Sequence, residues 1–226
     1  SPSGLARLSG GRVDANYREF QYTENIMLKI WGRTNSINVQ KVLWTVDELG
    51  LDYQRIDAGL HFGVVTEDWF ANINPNRTVP SIDDDGTIIW ESNAIIRYLA
   101  AKYSADEMMP DSLGDRAIVD MWMDWQQTVL MPSLGPLFMG LVRTAPENRD
   151  PAALDQAASD VADGLLILDQ HLAGQSYILG AQFTAADIPL GCAAYRWYTL
   201  DVKHGDMPNL KAWYDRLATR PAFAAR

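Results

Sequence analysis

A proline-led pair of short β-rich runs constrains this chain more than any other stretch. Val79-Pro80 opens the run Ser81-Ile82, the acidic turn Asp83-Asp84-Asp85-Gly86 follows, and Thr87-Ile88-Ile89-Trp90 forms the second run. β-branched and aromatic residues on both sides of an Asp-Gly turn predict a hairpin. Proline is tolerated at the first residue of a strand. It also keeps Val79 extended, because the residue before a proline avoids the helical region. An extended Val79 offers its N–H and C=O to a ligand peptide as an added strand would. A cis Val79-Pro80 bond suits such a corner, although sequence does not reveal one. A helix is expected from near Glu91, with Ser92 as its N-cap and residues 93–100 carrying apolar side chains at helical spacing. Helix N-termini attract carboxylates. A reader of peptide backbone and a reader of anions are thus expected side by side, and a small anionic peptide fits both.

Upstream, Met27-Leu28-Lys29-Ile30-Trp31 alternates and reads as a first strand. Residues 36–49 read as a helix with an apolar stripe of Val39, Val42, Leu43, Val46 and Leu49, stopped by Gly50. Residues 52–57 read as a second strand. Strand, helix, strand predicts a βαβ unit with parallel strands, and the hairpin and the Glu91 helix complete a β-α-β-β-α domain. Residues 104–112, with Met109-Pro110-Asp111, read as a linker. Beyond it the pattern is helical. One helix is expected from Leu113 to about Met131, with Pro132 and Pro136 kinking or interrupting it. Another is expected from Pro151 to His171, stopped by Gly174, and a last one over residues 209–219, ended by Pro221. Thr184-Ala185-Ala186-Asp187 resembles a capping box with Asp in place of Glu, and is assigned to folding.

Composition narrows the function. The net charge of −10 over 226 residues argues against binding a phosphate backbone, which needs clustered Lys and Arg. No stretch has the ~18 uninterrupted apolar residues of a membrane span. The single cysteine, Cys192, excludes a disulfide framework and a cysteine zinc site, and its apolar neighbours mark a buried core thiol. His61, His171 and His204 lack ligand spacing, so no metal is expected. Residues 1–26 have no signal-peptide core. They read as a disordered leader, from cloning or an upstream start, with a short native extension as the alternative.

Asn74-Pro75-Asn76-Arg77-Thr78-Val79-Pro80, followed by Trp90-Glu91-Ser92-Asn93-Ala94-Ile95, resembles the glutathione-binding signature of cytosolic glutathione transferases. The likeness covers about residues 27–220. It implies a thioredoxin-like α/β domain (β-α-β-α-β-β-α) over residues 27–103 and an all-helical bundle over 113–226 carrying the acceptor pocket. It implies glutathione as co-substrate, an electrophilic hydrophobic acceptor, a cytoplasmic setting, a role in detoxification and a homodimer. The resemblance also assigns roles. Val79 pairs its backbone with the cysteinyl part, Pro80 is the cis-proline, and Glu91 and Ser92 take the ammonium and carboxylate of the γ-glutamyl end. Arg77, beside Thr78, sits where relatives put a cation near the glycyl carboxylate.

Thiol transfer needs a thiolate, and a thiol near pKa 8.5 is only a few per cent ionised at pH 7. Lowering that pKa by about two units takes roughly 2.7 kcal/mol, within reach of a hydroxyl, an amide and a helix N-terminus together. Ser36 is either a plain N-cap or, by the resemblance, the thiolate donor. Asn38 is the second candidate, because some bacterial relatives use a Ser/Thr-plus-Asn arrangement; Asn35 is an outside one. Residues 31–38 hold no tyrosine or cysteine, which argues against tyrosine-type and cysteine-type members. Trp122, Trp125, Met121, Met123 and Leu130 read as core rather than acceptor pocket. Phe138 and Met139 are pocket candidates, Arg143 reads as a surface charge or an anion contact, and Asp120 and Asp124 as a solvated face or subunit contact. Two alternatives accompany a transferase: a glutathione-dependent disulfide-bond reductase or peroxidase, and a non-enzymatic ligand- or partner-binding module.

Overall fold

The computed structural model describes residues 27–104 and 107–224; the leader expected over 1–26 lies outside the described residues. Strands β1 (Leu28–Trp31), β2 (Tyr53–Ile56), β3 (Ser81–Asp84) and β4 (Thr87–Trp90) form one sheet in the order β2-β1-β3-β4. β1 runs parallel to β2 and antiparallel to β3, with Ile30 opposite Ile82, and β3 pairs antiparallel with β4, placing Ile82 opposite Ile89. Helix α1 (Ile37–Glu48) joins β1 to β2, and α2 (Ser92–Tyr103) follows β4. The apolar stripe of α1 meets Ile30, Ile82, Ile95 and Leu99 in one buried cluster. Gly50, at φ 63°, takes the left-handed position just past the end of α1 that glycine adopts without a Cβ penalty.

Three local expectations are corrected. Between β2 and β3 the structure has two 3-10 turns, Leu60–Phe62 and Asp68–Asn72, where the thioredoxin-like order expects an α-helix. Gly59, Leu60, Gly63 and Val64 all have positive φ, which no α-helix accommodates. The hairpin turn is shorter than its four residues suggest. β3 runs through Asp84 and only Asp85-Gly86 turn, both at positive φ, as in a two-residue type I′ hairpin. Asp84 is buried and accepts hydrogen bonds from the Tyr98 and Tyr103 hydroxyls and from Lys102. The N-cap of α2 is Glu91, with Ser92 the first helical residue.

The second domain is helical, from α3 (Leu113–Trp125) and α4 (Met131–Phe138) through α5 (Pro151–His171), α6 (Asp187–Thr199) and α7 (Pro208–Ala218) to the short α8 (Pro221–Ala224). Where a kink or an interruption is expected at Pro132 and Pro136, the helical path continues but the regular α pattern changes. Residues 113–143 stay helical, with wider π turns over Gln126–Leu130 and Met139–Arg143. A π turn shifts the hydrogen-bond partner by one residue, and here such turns flank the α4 segment that contains both prolines. Asp187 confirms the folding role of its capping motif. Fully buried, it accepts from Thr184 N and Oγ1, Ile178 N and Trp213 Nε1. Burial pushes its carboxyl up to about 6, the hydrogen bonds offsetting only part of the cost.

The two domains share a core. Trp44 of α1 is fully buried against Phe223 and Phe183, with ring centroids 4.7 and 5.9 Å away. Polar contacts cross the same seam. Arg97 of α2 pairs with Asp120 at 2.5 Å and also with the exposed Asp124, so the carboxylate pair keeps its solvated face while it anchors this seam. Arg220 forks onto Glu48 at 2.7 Å to each oxygen. Asn93 Nδ2 donates to Met123 O at 2.9 Å, and Lys41, wholly buried, reaches Gln126 Oε1 at 3.2 Å.

Candidate functional site

The site forms where the N-termini of α1 and α2 converge at the sheet end. Gly32 makes the first approach possible. A Cβ there would stand 2.5 Å from a methyl of Val39, so only glycine lets the β1–α1 loop lie against the first turn of α1. Ser36 is the N-cap of α1 in extended conformation, yet its side chain makes no capping hydrogen bond, and no acidic residue lies in the first turn. Its hydroxyl is largely buried and uncommitted, beside backbone N–H groups that carry the positive end of the helix dipole. The plain-cap reading of Ser36 therefore lacks its defining bond.

Asn38, the second residue of α1, accepts a 3.3 Å hydrogen bond at Oδ1 from the buried Ser92 hydroxyl at the start of α2. This contact ties together two stretches 54 residues apart. Glu91, just before it, has φ 70° and ψ 113°, a region that costs a non-glycine residue about 1–3 kcal/mol and clusters at functional sites. Its side chain is exposed and does not cap α2. The start of α2 thus also has open N–H groups.

Val79-Pro80 is cis. Val79 belongs to no strand, and its main-chain N–H and C=O have no hydrogen-bond partner among the described residues. Asn74 shapes this corner: its Nδ2 donates to Thr78 O at 3.0 Å and lies 3.3 Å from Ser81 Oγ, and its Oδ1 accepts from Asn76 N at 2.9 Å. The one local sign of this task is that Asn74 precedes a proline, a turn signal. Arg77 has a different setting. Its guanidinium donates to the carbonyls of Thr66 and Glu67 at 2.8 and 3.0 Å and lies 3.4 Å from Asp68, so it fastens the loop before β3.

The remaining candidates sort by burial. Trp122 and Met123 are core, Trp122 lying 4.5 Å from the His171 ring, while Met121 is exposed. Burial pushes the Cys192 thiol up to about 12, which leaves it no thiolate at neutral pH. A cavity of about 160 Å³ lies among Gln40, Trp44, Cys192, Tyr195, Tyr214 and Phe223; no predicted site residue lines it. Among the described residues no three of His, Cys, Asp and Glu gather as a metal would need, and no helix is long and apolar enough to cross a membrane.

Comparison with known proteins converges on one group. Residues 35–102 match the family "Glutathione S-transferase, N-terminal domain", and residues 151–216 match "Glutathione S-transferase, C-terminal domain". The chain is 41% identical over 198 residues to glutathione S-transferase GstB of Escherichia coli, covering 87% of this chain and 95% of that one. It is 31% identical to glutathione S-transferase 3 of Zea mays, covering 87% and 91%. Among solved structures, a theta class glutathione S-transferase from Xanthomonas axonopodis pv. citri with glutathione bound superposes with a TM-score of 0.85 at 39% identity, covering 89% of this chain and 97% of that one.

Proposed function

The chain belongs to the glutathione S-transferase family and is a glutathione S-transferase, and on that premise we propose which of its residues do the work. Glutathione lies across the convergent helix N-termini. Val79 pairs its free main-chain groups with the cysteinyl unit beside Pro80 and Thr78. Ser92 takes the γ-glutamyl carboxylate with its main-chain N–H at the start of α2, its hydroxyl proton staying on Asn38, and the exposed Glu91 carboxylate takes the ammonium. The sulfur then falls against the first turn of α1, where Ser36 donates its hydroxyl proton in a hydrogen bond to the thiolate. Asn38, already held by Ser92, adds its amide N–H. Arg77 secures the loop bordering the glycyl end.

The observation carrying this reading is the uncommitted, buried Ser36 hydroxyl at an uncapped helix N-terminus. A hydrogen bond to a charged group is worth about 1.5–3 kcal/mol, and the dipole adds about 0.3–1 kcal/mol. Together they cover a fall of roughly two units in the thiol pKa. The thiolate attacks an electrophilic carbon, forming C–S while the leaving group departs with its bonding pair. The test is the ultraviolet absorbance of bound glutathione thiolate against pH. Ser36→Ala and Asn38→Ala should each shift the titration upward by about one unit or more and lower kcat more than they raise the glutathione dissociation constant. An unchanged titration in both variants removes the role. A homodimer, a cytoplasmic setting and a detoxifying role stand on the same premise. Exposed Leu113, Met121 and Val129 on one long helix are apolar surface that a second copy would cover, and the particle mass in solution tests that pairing.

A further inference from the structure

Three arginines from distant segments gather beside the site with no acidic partner. Arg33 lies in the β1–α1 loop, Arg143 ends the second π turn, and Arg196 is on α6. The guanidinium of Arg196 stacks 3.8 Å from the centre of the Phe138 ring, and that of Arg143 lies 5.9 Å from the same ring. Arg33 adjoins the glutathione corner. A Cβ built on Gly59 would stand 3.2 Å from Arg33 Nη1 and 3.5 Å from the Val79 side chain. Arg33 Nε is buried without a hydrogen-bond partner. Every other described arginine donates at least one hydrogen bond. Each of these three has none among the described residues, in a chain with 29 acidic residues.

Such an arrangement is unfavourable without a ligand. Burial brings Arg196 down to about 10, Cys192 one turn away on α6 acts in the other direction, and the charges of Arg143 and Arg33 lower it further. Arg33 is lowered by burial and by Arg143. A protein of net charge −10 would repel an anion everywhere except where its field is locally reversed. Guanidinium groups match carboxylate and sulfonate oxygens in paired, charge-assisted hydrogen bonds, and the Phe138 ring supplies an apolar surface next to them.

We propose that the acceptor site takes an anionic electrophile, a small organic carboxylate or sulfonate, whose charged group is held by Arg143 and Arg196 over Phe138 while its electrophilic carbon faces the glutathione sulfur. This rests on the glutathione transferase reading and names the acceptor class for that site. Arg33 stands between the two halves and holds the anion on the glutathione side.

The test compares 4-chloro-3,5-dinitrobenzoate with its methyl ester, which share one reaction. Glutathione thiolate adds at the ring carbon bearing chlorine, a C–S bond forms, and chloride leaves with the C–Cl pair. The acid should show the higher kcat/KM in the natural protein. Arg143→Met should lower the acid-to-ester ratio of kcat/KM roughly tenfold, the loss expected for one charge-assisted hydrogen bond, and Arg143→Glu should lower it further. Because Arg143 is exposed, neither variant depends on refilling a core. An acid no better than its ester, or a ratio unchanged in both variants, overturns the anion site and leaves the transferase reading standing on the ester's turnover. A rise in the KM for glutathione with the ratio unchanged overturns it likewise, by giving the arginines to the tripeptide. Turnover of neither compound counts against both readings.

Discussion

Lys41→Met should stabilise the protein at neutral pH, although it deletes a hydrogen-bonding side chain. Lys41 is wholly buried at the domain seam. Burial is the main influence and brings its ammonium from 10.5 down to about 8, with Cys192, Arg196 and Glu91 as lesser ones. At about 1.4 kcal/mol per unit, the native state carries a cost of about 3 kcal/mol at pH 7. The native protein loses this proton near pH 8 and the unfolded chain near 10.5. Between those values the unfolded state binds more protons, so stability contributed here rises with pH across that window, and the cost stands in full below it. Methionine matches the volume without the charge. It leaves Gln126 Oε1 without its 3.2 Å partner, and the contact to Asn93 Oδ1, at 3.5 Å, is already weak. That loss is about 1–2 kcal/mol, so a gain of about 1–2 kcal/mol is expected at pH 7. By pH 9.5 most of the lysine's cost is gone, and the difference between variant and parent should move by about 2 kcal/mol against methionine. Urea unfolding of both proteins at pH 7 and 9.5, at one fixed protein concentration, measures it. An equal difference at the two pH values refutes the depressed ammonium, whatever its sign.

Two further outcomes follow from packing. Asp187→Ala leaves the donors of Thr184, Ile178 and Trp213 buried without an acceptor and should cost about 3–5 kcal/mol in urea unfolding; a loss under 1 kcal/mol would show that the carboxylate is not the hub of that junction. Gly191→Ala should lower stability by about 1–3 kcal/mol, because its Cβ would come within 2.8 Å of the Trp44 ring and Leu217. Helix propensity alone favours alanine over glycine by about 1 kcal/mol, so a raised Tm contradicts the close approach.

What was legible in the sequence was local. Val79-Pro80, the Asp-Gly turn, the α1 stripe with Gly50 and the Thr184–Asp187 cap each act within a few residues, and each shows as a pattern of residue types. From sequence, β3 reads two residues too short because three consecutive aspartates look like solvent-facing turn. Asp84 is instead buried by partners on α2, and nothing within the hairpin announces them. Lys41 escaped for the same reason: a lysine inside an amphipathic helix reads as surface, and its burial depends on Gln126 in the other domain. Arg33 and Arg196 carry no sequence signal, since their meaning comes from lying near Arg143, Arg196 with it over the Phe138 ring. Arg77 and the Asp120–Asp124 pair showed the converse. Their residue types suggest an anion contact and a solvated face, and only the fold adds that Arg77 also fastens a loop and that the partly exposed aspartates also meet Arg97.

The seam contacts described above bear on how this protein would change over time. Arg97, Asn93, Lys41, Arg220 and Trp44 all bridge the two halves, so neither half can swing relative to the other without breaking several bonds at once. Accommodating a new acceptor by moving one half against the other is therefore costly. Exchanging a side chain that already faces water is cheap, as at the end of the second widened turn, where Val142 and Arg143 are exposed. Descendants of this chain should differ in what they accept through replacements near position 143, with the tripeptide cradle unaltered beneath.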